Sequence, residues 1–191
     1  MGQLRLLVVR RASTDDFEAV HTLLTEAARW LQTEKATDQW AAPWPDENGR
    51  NERVMRAIEA GRTWIAWDDA RPAATLTTSP NHHMIWPEEN GRDPAVYVRR
   101  IVVSRRYAGH GLGSQLLDWA GLRASHAYGA RWVRVDVWTT NEALHDYYER
   151  QGFEYRGRCP IPGYPSGALF QKAVGQIEPP EFPMFREDLA G

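Results

Sequence analysis

Val103-Ser-Arg-Arg-Tyr-Ala-Gly109-His-Gly111-Leu-Gly113-Ser114 sets glycine at every second position between an apolar run and an amphipathic one. Ala95 to Val103, leading into it, has the β-branched and aromatic content of a strand. Beyond it, Leu116, Leu117, Ala120, Ala124 and Ala127 recur on one face of a helix that Gly129 stops. Strand, glycine-rich turn and helix start together make a pocket for phosphate. Glycine admits unusual dihedrals and close backbone approach. The first N–H groups of the helix and its dipole then face the anion. The stretch predicts a grip on a ligand that carries pyrophosphate. A dinucleotide fold would space its glycines Gly-x-Gly-x-x-Gly after the first strand of a βαβ run, and this chain does neither.

Further along, Trp132 to Val137 reads as a strand with Val133, Val135 and Val137 on one face. Thr139-Thr140-Asn141-Glu142 has the form of a capping box, opening a helix to Gln151 that Gly152 ends. Phe153 to Tyr155 begins a strand, and Ala168 to Lys172 is the last one. On the other side, Leu4 to Val9 is a first strand and Ser13 to Asp16 a helix start. Phe17, Val20, Leu23 and Leu24 give the helical stripe, which Ala27, Ala28 and Leu31 extend. Residues 40–51 read as loop, Asn51 to Ala60 as a short helix, and Thr63 to Trp67 with Ala73 to Thr78 as a hairpin. Residues 79–94 form a long loop. Strands first run together and then alternate with helices. The expected class is therefore mixed α/β (α+β), one domain over residues 1–172 with a Pro-containing tail, 173–191, draped on the surface or on a partner.

Composition narrows the function classes. A chain of 191 residues carries a full core, and its net charge of -2 argues against nucleic acid or an anionic membrane as partner. The one cysteine, Cys159, excludes an internal disulfide and suits a reducing, cytoplasmic setting. No apolar run is long enough to span a membrane, and the N-terminal apolar stretch is too short for a signal peptide. The six histidines have no metal-ligand spacing, so no metal is expected. Most of the nine tryptophans are accounted for by packing.

The glycine loop is followed by Asn141-Glu-Ala-Leu-His-Asp-Tyr-Tyr148-Glu-Arg-Gln-Gly152-Phe153. The two motifs in this order resemble the GNAT-type N-acetyltransferase family. Its core runs strand, Arg/Gln-x-x-Gly-x-Gly/Ala, helix, strand, Asn-x-x-Ala-x-x-x-Tyr-x-x-x-Gly-Phe. The resemblance covers residues 95 to 157 most closely. Two positions depart from it: Ala108 stands at the Arg/Gln position, with Arg106 matching only two residues out of register, and Ala143 falls one place early.

The resemblance implies a twisted mixed sheet flanked by helices, splayed between the parallel strands 95–103 and 132–137, with acetyl-CoA as donor. The backbone of Ile101, Val102 and Val103 would pair with the pantetheine arm. Ala108, Gly109, His110, Gly111, Gly113 and Ser114 would cradle the pyrophosphate. Asn141 would orient the arm, or simply cap its helix. Tyr148 would protonate the leaving thiolate, with Tyr147 left to the core. The expected reaction is direct attack by a primary amine, without a covalent enzyme intermediate. Candidates to take the amine's proton are Asp136, Glu88, Glu89, His82, His83 and a water chain. Trp30, Trp40, Trp44 and Trp86 are candidate walls of an acceptor pocket for a small-molecule amine, and a peptide amine stays open. The chain would act as a monomer or homodimer. The rival reading is an acyl-CoA-binding sensor or partner-binding module without turnover.

Overall fold

The computed structural model describes residues 6–43, 45–80, 85–87, 93–159, 161–162 and 164–188. The fold is mixed α/β, and the described residues form eight strands hydrogen-bonded in the spatial order 154–158, 168–173, 132–137, 95–103, 71–79, 63–68, 7–11 and 185–187. Among the described residues no helix is long and apolar enough to cross a membrane. The chain divides into two compact units: residues 1–77, 100–115 and 180–191, and residues 78–99 and 116–179.

In the first unit, β1 (Leu7–Arg11) pairs antiparallel with β2 (Thr63–Asp68), and β2 with β3 (Arg71–Ser79). The expected strand start at Leu4 lies outside the described residues. Ser13 opens a 3-10 turn, Thr14–Asp16, that runs into α1 (Phe17–Glu34). The Asp16 carboxylate accepts from Ser13 N–H at 2.7 Å and from both Arg10 amino groups at 2.7 and 2.9 Å. The hydrogen bond from Arg10 holds the Asp16 carboxyl below its usual range, against the opposing effect of burial. Helical spacing on α1 then buries Val20, Leu23 and Leu24 against Val54, Ile58, Ile65 and Val102.

The second helix, α2 (Glu47–Glu59), starts four residues before the expected Asn51. Asp46 caps it, accepting from Gly49 N–H at 2.8 Å. This cap overrides the poor helix propensity of Asn48, Gly49 and Asn51. In the tail, Phe185–Glu187 forms β8 and pairs parallel with β1.

In the second unit, β5 (Trp132–Val137) pairs parallel with Ala95–Val98 of β4 (Ala95–Val103) and antiparallel with β7 (Ala168–Ala173). β7 also pairs with β6 (Glu154–Arg158). Alternation divides this part of the sheet into two faces. Val133 and Val135 of β5 share a face with Phe170 of β7, and Arg134 and Asp136 share the other with Leu169 and Gln171.

The helix after the glycine loop, α3 (Leu112–Tyr128), buries Leu116, Leu117, Ala120 and Ala124, whereas Ala127 is exposed. It rests on the valine face at Gly121. A Cβ there would lie 2.5 Å from Val133 Cγ2 and 2.8 Å from Ile177 Cδ1. Alanine favours a helix interior by about 1 kcal/mol over glycine, but overpacking of this kind costs about 1–3 kcal/mol. Gly121→Ala is expected to lower stability on balance, read as a lower midpoint in urea unfolding. A raised midpoint would show that the two helix–sheet layers give way freely.

Candidate active site

The glycine loop belongs to the first unit. Ser104 N–H donates to Ala73 O at 2.8 Å, and a 3-10 turn, Arg105–Tyr107, follows. Tyr107 is buried and donates its hydroxyl to Asp68 Oδ2 at 2.7 Å. Burial first, and the Asp68 carboxylate second, push that phenol up. Gly109 and Gly111 both have φ +83, a conformation that L side chains rarely adopt, so any other residue there would be strained. A Cβ at either would meet nothing within 4 Å. Gly109, His110 and Gly111 are exposed, and Ala108, Gly113 and Ser114 are half-buried. Leu112, fully buried, then anchors α3, whose first N–H groups precede any intrahelical acceptor. A left-handed, uncrowded backbone that runs into a helix N-terminus fits an anion such as pyrophosphate. Just upstream, Val102 packs into the first unit's core while Ile101 and Val103 are half-buried. Arg100, before them, has φ +49, a strained break in the strand for a non-glycine residue.

Asp136, Asn141 and Tyr148 belong to the second unit. The ladder between β4 and β5 is described up to Val98↔Val135. One register step further, Arg99 and Asp136 meet through their side chains, Nε to Oδ1 at 2.8 Å, and the carboxylate is only 6% exposed. Tyr164 donates its hydroxyl to the other carboxylate oxygen at 3.3 Å. On the same face, Arg134 is 1% exposed, donates to Tyr97 Oη at 2.9 Å and stacks on the Trp86 ring.

The next helix, α4 (Glu142–Arg150), is capped by Asn141, not by Thr139 as the box pattern predicts. Asn141 Oδ1 accepts from Leu144 N–H at 3.1 Å. Thr139 is drawn away to the β6–β7 connection, donating to Pro165 O at 3.0 Å and accepting from Gly167 N–H at 2.8 Å. Tyr148 is 6% exposed, stacked on Phe170 and edge-on to Tyr147 and Phe153. Phe170 lies opposite Val135, and Leu169 opposite Asp136. Tyr148 and Asp136 therefore occupy opposite faces of the sheet, yet stand close enough that the carboxylate raises the phenol further.

The tryptophans separate by environment. Trp30 in α1 carries Arg105 at 4.0 Å and Lys35 at 5.1 Å over its ring. Trp40, with φ +59, packs against the first unit's core. Trp86 is core, 1% exposed and edge-on to Tyr97. Trp44, His82, His83, Glu88 and Glu89 lie outside the described residues. The contacts of Arg99 and Tyr164 with Asp136 are what the sequence reading missed. Alternation along β4 puts Arg99 on one face with Tyr97, but the β4–β5 register is what sets it beside Asp136. Tyr164 sits in an aperiodic stretch and carries no such signal.

Burial is the first cause that raises Tyr148 and Tyr164, the latter to about 12. An unfolded tyrosine titrates near pH 10, so above that pH the folded chain keeps protons that the unfolded chain releases. Their contribution to stability is intact below about pH 10 and is lost as pH rises towards the folded values. The melting temperature is expected to fall from about pH 10 upward, less steeply in Tyr164→Phe. An equal slope in the variant would show Tyr164 to be as open as in the unfolded chain.

A profile of the acetyltransferase (GNAT) family matches residues 22–153. A Bacillus subtilis (strain 168) protein named uncharacterized N-acetyltransferase YesJ is 29% identical over 164 residues, 84% of this chain and 86% of that one. A GNAT-family acetyltransferase of Listeria monocytogenes 4b F2365 superposes with a TM-score of 0.68 at 24% identity, covering 91% of this chain and 98% of that one. The PaiA N-acetyltransferase of Thermoplasma acidophilum, solved in complex with coenzyme A, gives 0.65 at 17% identity, covering 87% and 98%. These two likenesses show the fold.

Proposed function

The chain belongs to the acetyltransferase (GNAT) family, an acetyl-CoA-dependent acyltransferase by that membership, and from this premise we propose that it acetylates a primary amine of a small molecule by direct attack within a ternary complex. The observation that carries the donor half is the pair of left-handed glycines, Gly109 and Gly111, bare on their outer side and followed at once by α3. Ala108 to Ser114 take the pyrophosphate through backbone N–H groups, which is why Ala108 suffices where relatives of the pattern hold Arg or Gln. Main-chain groups of Ile101 to Val103 pair with the pantetheine arm, and Asn141 borders it.

In the transfer, the amine nitrogen bonds to the thioester carbonyl carbon and the carbon–sulfur bond breaks. Tyr148 gives its phenolic proton to the departing sulfur. Its strongly raised pKa keeps that proton available through neutral pH. The acceptor enters as an ammonium and must lose a proton before it attacks. Asp136, fixed by Arg99 and Tyr164, is the carboxylate we assign to attract the ammonium and pass its proton to solvent. Its place on the face opposite Tyr148 suits this division: proton loss on one side of the carbonyl, proton gain on the other.

Calorimetric titration with acetyl-CoA, followed by thiol release with a panel of amines, tests the reading. Binding followed by amine-dependent thiol release is expected. Absence of binding sinks the donor assignment, and binding without release for any amine sinks the transfer assignment in favour of a binding module.

A further inference from the structure

A Cβ at Gly109 or Gly111 would touch nothing, so side-chain packing does not shape the loop there and what holds its ends does. On the strand side these are Ser104 and Tyr107. On the helix side the hold is Gln115, in the first turn of α3. Its backbone N–H donates to Gly111 O at 3.0 Å. Its side-chain amide grips the C-terminal segment with both ends: Oε1 accepts from Met184 N–H at 2.9 Å, and Nε2 donates to Phe182 O at 3.3 Å. That segment is fastened in turn. Leu7 N–H donates to Met184 O at 2.9 Å, β8 pairs with β1, and Asp188 N–H donates to Val9 O at 2.8 Å. All these residues belong to the first unit.

We propose that Gln115 is a positioning residue of the donor site, and that residues 182–188 are a strap which, through Gln115, holds the glycine loop in its pyrophosphate-binding shape. This rests on the acetyl-CoA reading above. The chemistry asks for this side chain: glutamine offers one acceptor and one donor side by side, meeting one main-chain N–H and one C=O two residues apart. A loop already held in its binding conformation is not ordered at the expense of affinity. If the competent loop population falls tenfold, apparent affinity falls tenfold with it.

The test compares the full chain with its Gln115→Leu variant, which keeps side-chain bulk and helix propensity but removes both bonds. Acetyl-CoA and S-acetylpantetheine, which lacks the pyrophosphate, serve as donors. For acetyl-CoA, KM is expected to rise about tenfold with kcat unchanged. For S-acetylpantetheine, kcat/KM is expected to stay as it was. Hydrogen exchange at Met184 and over residues 111–114 is expected to quicken together in the variant. An unchanged KM for acetyl-CoA overturns the proposal, and so does an equal loss with both donors, which marks a general structural defect. A parent protein that binds no acetyl-CoA fails the donor reading itself, and that is seen before any variant is made.

Discussion

Tyr148→Phe is expected to lower kcat by about 10²–10⁴-fold, the usual contribution of a positioned acid, while leaving KM for acetyl-CoA and the melting temperature nearly unchanged. The ring contacts with Tyr147, Phe153 and Phe170 survive the substitution, since phenylalanine keeps the ring and loses only the hydroxyl. Stability and activity therefore separate in this variant. Burial, reinforced by Tyr147 and Asp136, keeps the phenol protonated well into alkaline pH. The parent's kcat should show no alkaline loss from this group below about pH 10. Steady-state kcat at saturating donor, from pH 6 to pH 10 in both proteins, is the measurement. A variant that keeps kcat within twofold would make Tyr148 a packing residue, and the proton for the thiolate would come from elsewhere.

Gly111→Asp is expected to weaken acetyl-CoA binding by about 10³-fold. Two like charges about 4 Å apart repel by about 4 kcal/mol at an effective dielectric constant near 20. That alone accounts for the factor. The backbone contributes separately: φ is +83 at Gly111, and a side chain in the left-handed region costs roughly 1–2 kcal/mol in the free protein as well. Gly111→Ala carries that strain without the charge and is expected to bind far better than the aspartate variant. The space is open, with nothing within 4 Å of a Cβ, so steric exclusion inside the protein does not confuse the comparison. Titration calorimetry at low and high salt reads both effects, because screening softens the penalty only of the carboxylate. Aspartate and alanine variants of equal affinity would move the pyrophosphate away from this loop.

Much of the frame was legible because it is written in local signals. Strand β-branching bounded Ala95–Val103 and Trp132–Val137 as the structure has them, and helical spacing placed Leu116, Leu117, Ala120 and Ala124 in the core. Alternating glycines placed the turn before α3, where Gly109 and Gly111 take the left-handed backbone. Each of these depends on residues within a few positions of one another.

What local pattern missed depends on partners far along the chain. Of the two caps the sequence offered, Thr139 loses the role because Pro165 and Gly167 compete for its hydroxyl, and Asn141 keeps it. Phe185–Glu187 has no strand signal of its own, and it extends because β1 offers it hydrogen bonds. Arg99, Asp136 and Tyr164 come together from three elements, and Gln115 finds its donor, Met184 N–H, sixty-nine residues away and its acceptor, Phe182 O, sixty-seven away. The sequence by itself determined the order of the elements up to β7 and the glycine turn before α3, since periodicity, glycine dihedrals and turn chemistry act over one or two turns of chain. Only the tertiary structure decided which side chains hold Asp136 and what ties down the glycine loop. A hydrogen bond between distant residues is specified by the geometry of the whole fold, not by any spacing along the chain.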